Sequence, residues 1–132
     1  MVTFDNPVGL GAPVARYSHV AVVDLGAATM LVLAGQVPFD MDGEDVGIGD
    51  FRTQARQAFA NITAILTAHG AAVTDIVKTT YYITDMSYRS DLSAVRDEVL
   101  GEHEAASTLV EISALSSPNY LIEIDVMAVV SN

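Results

Sequence analysis

Residues 105–130, AASTLVEISALSSPNYLIEIDVMAVV, decide how this chain folds. They read as two strands, Ser107–Leu115 and Tyr120–Val130, joined by Ser-Ser-Pro-Asn at 116–119. Proline and asparagine set turn geometry, so the two strands are expected to fold back on each other as a closing hairpin. In the second strand Tyr120, Ile122, Ile124, Val126, Ala128 and Val130 alternate with Leu121, Glu123, Asp125, Met127 and Val129. A period of two places the first set on one face of a sheet and both carboxylates on the other. In the first strand Ser107, Leu109, Glu111 and Ser113 alternate with Thr108, Val110, Ile112 and Ala114. Glu111, Glu123 and Asp125 thus fall on less apolar faces, among Leu and Met. Such a surface suits a cleft or a subunit contact better than open water.

Upstream the pattern changes period. Asp50 can cap a helix running to about His69, because its carboxylate accepts the free amides of a first turn. Phe51, Ala55, Phe59, Ile62 and Leu66 recur at helical spacing, widened by Ala58 and Ile65, and Gly70 follows where a left-handed cap is expected. Arg52, Arg56, Thr63 and Thr67 look outward. A second helix fits Ser87–Leu100, with Tyr88, Leu92, Val95 and Val99 on one face and Gly101 at its end. Between them Val77–Ile83, rich in Thr and Tyr, favours a strand. Earlier still, Tyr17–Val23 and Thr29–Ala34 read as strands around a turn at 24–28. Gly35-Gln36-Val37-Pro38 then breaks the pattern, and Phe39–Gly49 is an acidic loop with Asp42-Gly43 as its tight turn. Residues 1–14 read as an extended lead-in. The order β-β-α-β-α-β-β predicts a single α+β domain over 1–132: one sheet with both helices on one face.

Composition narrows the function. Apolar residues make up 51% of 132 residues, slightly above the ~45–50% usual for soluble domains on a count that includes glycine. That excess points to buried surface beyond one monomer's core. Seventeen acids against six bases give a net charge of −11. Arg16, Arg52, Arg56, Lys78, Arg89 and Arg96 are scattered, whereas nucleic acids are held by clustered cations. There is no cysteine, which removes disulfides, thiol catalysis and cysteine-bound zinc. No basic segment followed by an apolar core opens the chain, and Val20–Ala34 is too short and interrupted for a membrane span. The expectation is a soluble, cytoplasmic protein with no nucleic-acid or membrane partner. His19, His69 and His103 form no paired metal motif, so no metal site is expected. Gly47-Ile48-Gly49 lacks both the lysine of a phosphate loop and the third glycine of a dinucleotide fingerprint.

Four stretches, Ala34–Pro38, Gln54–Asn61, Asp75–Met86 and Val110–Asp125, together resemble the Rid family of reactive-intermediate deaminases, also called the YjgF/UK114 group. Ala34-Gly35-Gln36-Val37-Pro38 is similar to its S-G-Q-I-P corner. Gln54-Ala55-Arg56-Gln57 through Asn61 resembles its Q-x-R-Q-x-x-x-N helix. Asp75-Ile-Val-Lys-Thr-Thr followed by Thr84-Asp85-Met86 resembles D-V-V-K-T-T…T-D-L. Val110-Glu111-Ile112 with Ile122-Glu123-Ile124-Asp125 resembles V-E-V…I-E-I-E. They occur in matching order over about residues 15–130. The resemblance implies a chorismate-mutase-like fold and a homotrimer with clefts between subunits. It also implies hydrolysis of enamines and imines to 2-keto acids and ammonia, with no cofactor. The site residues it implies are Tyr17, a backbone amide at Gly35, and Glu123.

The chain departs from that pattern at the substrate anchor. The family's carboxylate-binding arginine falls on Ser107, its corner serine is Ala34, and the asparagine and tyrosine of its second helix are Ser93 and Arg96. This places the chain with arginine-less members, and the expected consequence is an altered substrate. Arg16, beside Tyr17, is a candidate cation from another direction. Two readings follow. In one, Glu123 orients water toward a C=N carbon, with Tyr17 and the Gly35 amide as polar contacts. In the other, a non-catalytic homotrimer binds a neutral small molecule through Ser107, Tyr17 and either Tyr81 or Tyr82, and Glu123 is a structural carboxylate.

Overall fold

The computed structural model describes residues 1–132. Its elements are β1 (Val2–Asp5), β2 (Val20–Asp24), β3 (Ala28–Leu33), α1 (Phe51–Ala68), β4 (Ile76–Ile83), α2 (Arg89–Leu100), β5 (Ala106–Glu111) and β6 (Ile122–Ser131). Asp50 starts α1 as expected: its carboxylate accepts the Thr53 amide at 3.2 Å and the Thr53 hydroxyl at 2.9 Å. Gly70, at φ 71°, lets the chain leave the helix in the left-handed region. The apolar stripe of α1 packs on Val20, Leu31, Ile124, Val126 and Ala128 of the sheet. Phe59 meets Tyr81 edge-on at 6.2 Å, and Phe51 stacks on Tyr88 at 4.5 Å where α1 and α2 converge. Ion pairs Arg52–Asp91 and Arg56–Glu98 tie the two helices on their solvent side. The fold is the expected α+β, chorismate-mutase-like sandwich. No helix is long and apolar enough to cross a membrane.

The sheet corrects the expected closing hairpin. Its order is β1-β2-β3-β6-β4-β5, so the last two strands are not neighbours. β5 runs parallel to β4, with Thr79 opposite Ser107, because α2 supplies the crossover that parallel strands require. The turn at Ser117–Tyr120 does form, with the Tyr120 amide on the Ser117 carbonyl at 3.1 Å. It carries the chain from the sheet's edge back into its middle. β6 there pairs antiparallel with both β3 and β4. Its second half, Val126 to Val130, is apolar on both faces, which suits a strand bordered on both sides.

The lead-in is also corrected at its start. Val2–Asp5 is a strand pairing with β2, with Val2 opposite Val23 and Phe4 opposite Ala21. Four residues are too few to show periodicity against the glycines and prolines that follow. The sheet face away from the helices bears Phe4, Val23, Met30, Val32, Met127 and Val129 in cross-strand register. Phe4 is 69% exposed.

Two buried amides of α1 fix the loops that build the site. Gln54 donates to the carbonyls of Gly47 (3.1 Å) and Asn119 (2.8 Å) and accepts the Leu121 amide at 2.8 Å. Asn61 donates to the carbonyls of Val37 (3.2 Å) and Phe39 (2.9 Å). Gln54→Ala strands a buried amide and two carbonyls, an expected loss of about 1–3 kcal/mol. Urea titration should show a lower midpoint with an unchanged slope.

Candidate active site

Gly35 and Glu123 meet because the corner after β3 is stitched to β6. The Gln36 amide donates to the Ile124 carbonyl at 2.7 Å, and the Ile124 amide returns a bond to Gln36 at 3.0 Å. That pairing presses the corner against the next residue of β6. A Cβ on Gly35 would lie 2.7 Å from Glu123 Cδ, closer than real Cβ contacts allow. Only glycine permits the carboxylate to sit where it does. The flanking amides of Ala34 and Gln36 are both used by backbone carbonyls, while the Gly35 amide has no acceptor in the chain and is free to donate outward.

Behind the corner lies a buried polar layer. His19 is 1% exposed; its Nε2 meets the Gly11 carbonyl at 2.7 Å and its Nδ1 meets Gln36 Nε2 at 3.2 Å. Those partners assign the ring proton to Nε2, leaving Nδ1 as acceptor. Phe39 stacks on this ring and Tyr17 approaches it edge-on. The result is a cavity of about 340 Å³ whose lining includes Tyr17, Ala34, Gly35, Ser116, Tyr120 and Glu123.

Glu123 stands apart in its electrostatics. Burial pushes its carboxyl above the ordinary value, and the nearby Asp125 charge adds to that. No donor in the chain hydrogen-bonds its carboxylate, so the structural role has no bond to rest on. The other two acids differ. Glu111 accepts the Met86 amide at 2.7 Å, and Asp125 accepts the Tyr82 hydroxyl at 3.2 Å.

The sequence reading missed Tyr120. It fits the alternation of a core strand, yet it precedes β6 and turns into the cavity beside Tyr17 and Glu123. Its hydroxyl donates to Asp45 at 2.9 Å, and Asn119 holds the second Asp45 oxygen at 3.1 Å. Burial first, then the Asp45 bond and charge, push the phenol up to about 12, so it stays protonated. The remaining candidates separate. Tyr17, Ala34, Gly35 and Glu123 come together; Arg16 is exposed and does not line the cavity. Tyr82 is Glu123's partner on the open face of the sheet. Ser107 shares the helix-covered face with Thr79 and Tyr81 and lines a different cavity with Arg96. The remaining histidines are also engaged: His69 pairs with Asp5 at 3.0 Å and His103 meets the Ile76 carbonyl at 2.8 Å. No three His, Asp or Glu side chains converge on a point.

Residues 10–130 match the model of the family described as endoribonuclease L-PSP. A 2-iminobutanoate/2-iminopropanoate deaminase of Salmonella typhimurium is 37% identical over 121 residues, 89% of this chain and 91% of that one. A RutC family protein of Pyrococcus horikoshii is 36% identical over 116 residues, 88% of each chain. A solved structure of a conserved Rid family protein from Yersinia pestis superposes with a TM-score of 0.87 at 29% identity, covering 98% of this chain and 100% of that one. By the family model and by these relatives, the chain belongs to the endoribonuclease L-PSP family, the Rid family of YjgF-like proteins.

Proposed function

We propose that this protein hydrolyses a small enamine or imine to a carbonyl compound and ammonia, without a cofactor, in clefts between three copies of the chain. The observation that carries this reading is Glu123: a half-buried, unbonded carboxylate with raised pKa, packed against Gly35, whose backbone amide is also free. The substrate enters as its iminium, the protonated C=N tautomer. Water attacks the iminium carbon while Glu123 takes one of its protons, and the C=N π electrons move to nitrogen. Glu123 returns that proton to the nitrogen of the carbinolamine. The C–N bond then breaks, the hydroxyl oxygen closes the C=O bond, and its proton leaves with ammonia as ammonium. Tyr17 and the Gly35 amide hold polar atoms of the substrate, and Tyr120 fixes the far wall. The activity for which the Salmonella relative is named supports the same class of C=N substrate. Ser107 offers one hydroxyl and no fork, so the substrate is held differently from one anchored by arginine on β5. Endoribonuclease chemistry is disfavoured by the net charge of −11 and the lack of a basic patch.

The position of the parts supports an assembly of copies. Glu123 lies on the open face of the sheet and Ser107 on the helix-covered face, in separate cavities. One small molecule touches both only where two copies meet. The apolar rows of the open face give those copies a surface to bury. Light scattering is expected to give about three times 14.0 kDa; a monomer at micromolar concentration would sink the composite site. An imine generated in place by an amino-acid oxidase is expected to decay faster with the protein present than without it. Decay at the spontaneous rate would defeat the hydrolase reading.

A further inference from the structure

A cavity of about 240 Å³ lies between the C-terminal half of α2 and strands β4 and β5. Its floor includes Tyr81, 2% exposed, whose buried hydroxyl makes no hydrogen bond of good geometry and has only a loose contact with the Thr79 side chain. Buried polar groups are almost always well bonded, so a phenol this poorly satisfied beside an open cavity marks a place for an acceptor. Burial raises the phenol's pKa, which keeps its proton available for donation, while the Thr79 contact and then the Arg96 charge oppose that rise. Arg96 reaches the cavity from α2, and Ser107 reaches it from β5. The guanidinium is poorly committed within the chain. Its partner is the adjacent Asp97, at 3.3 and 3.4 Å, with 41% of the arginine side chain exposed. Arg52 and Arg56, by contrast, make bonds of 2.7–3.0 Å to acids of the other helix.

We propose that Arg96, with the Tyr81 and Ser107 hydroxyls, holds one carboxylate of the substrate, so that this chain carries its anion anchor on α2 rather than on β5. The proposal rests on the hydrolase reading and extends it to substrate class. The guanidinium can only donate and each hydroxyl can turn its proton inward, which matches a carboxylate that presents acceptors only. The small side chain at 107 leaves room for the longer one to reach in from the helix. Asp97, Glu102 and Glu104 also line the cavity, all exposed. They disfavour a second negative charge, so the site selects monocarboxylates over dicarboxylates.

Binding of the product class tests this without turnover. The dissociation constants of 2-oxobutanoate, its neutral amide 2-oxobutanamide and the dianion 2-oxoglutarate are measured by NMR titration. Native protein, Arg96→Ala and the double variant Arg96→Ala/Ser107→Arg are compared. Loss of a charge-assisted contact should weaken 2-oxobutanoate about 10- to 150-fold in Arg96→Ala, leave 2-oxobutanamide unchanged, and be partly restored in the double variant. Native protein should bind 2-oxoglutarate more weakly than 2-oxobutanoate. Equal 2-oxobutanoate affinity in native protein and Arg96→Ala, or no binding by either, overturns the proposal. Arg96-dependent binding with no imine hydrolysis leaves the anchor standing and removes the hydrolase reading. Hydrolysis with Arg96-independent binding does the reverse.

Discussion

Glu123→Gln is expected to lower kcat by about 10²- to 10⁴-fold, the range that a positioned general base contributes. The amide keeps the size and polarity of the side chain, so the assembly and the melting profile should persist while turnover is lost. Asp125→Asn should cost far less, because Asp125 is bonded to Tyr82 and acts on Glu123 only through its charge. Equal losses from the two would mean that the acids work through net charge rather than by proton transfer. The pH profile gives a second check. Glu123 must be ionised to accept a proton, so activity falls as pH drops through its raised pKa. The acid limb should therefore lie above the ordinary glutamate value of 4.5. Asp125→Asn removes the second cause of that rise and should move the limb down. Stability has the opposite sign. A carboxyl whose pKa is raised by folding favours the fold below its unfolded pKa and loses that contribution as pH rises through the folded value. At neutral pH the ionised Glu123 opposes folding, and Glu123→Gln should melt no lower than the native protein.

Gly35→Ala should nearly match that loss of activity by displacing the same carboxylate. The added methyl meets the end of a flexible side chain rather than backbone, so the fold survives by moving Glu123. A shift of about 1 Å in catalytic geometry can cost about 10²-fold. The double variant Gly35→Ala/Glu123→Gln should be hardly worse than Glu123→Gln alone, since both remove one function. Additive losses would show that Gly35 matters through more than the room it leaves for Glu123. Crystals of Gly35→Ala should show the carboxylate turned away from the corner.

The elements were legible in the sequence where periodicity was strong and their arrangement was not. The apolar stripe of α1, its Asp50 cap and the two faces of β6 all read correctly. The partner of β6 did not, because alternation sets which residues share a face and says nothing of which strand lies alongside. Ser-Ser-Pro-Asn does turn the chain, and a turn between two strands looks the same whether they pair or stand two places apart. The site divided in a similar way. Tyr17, Ala34, Gly35 and Glu123 were visible through family motifs, and the structure gathers all four. Tyr120 was hidden by its fit to a core pattern, and Asp45 by its place in an acidic loop. Gln54 and Asn61 had motif positions, but only three-dimensional contacts show that they hold the corner and the entrance to β6. Arg96 reads as one more surface charge until the parallel pairing of β4 and β5 sets Ser107 opposite it across a cavity.

β6 follows the other five strands in the chain and lies in the middle of the sheet. During synthesis, then, β3 and β4 each emerge with an unfilled edge, and neither can be closed until β6 leaves the ribosome. Pairing across such separations is slow, and open edges are where nascent chains stick to one another. Glu123 rides on that final strand, so its meeting with Gly35 is made in the insertion that seals the sheet. Before then, the nascent chain has no carboxylate at the Gly35 corner and two strand borders open to other chains.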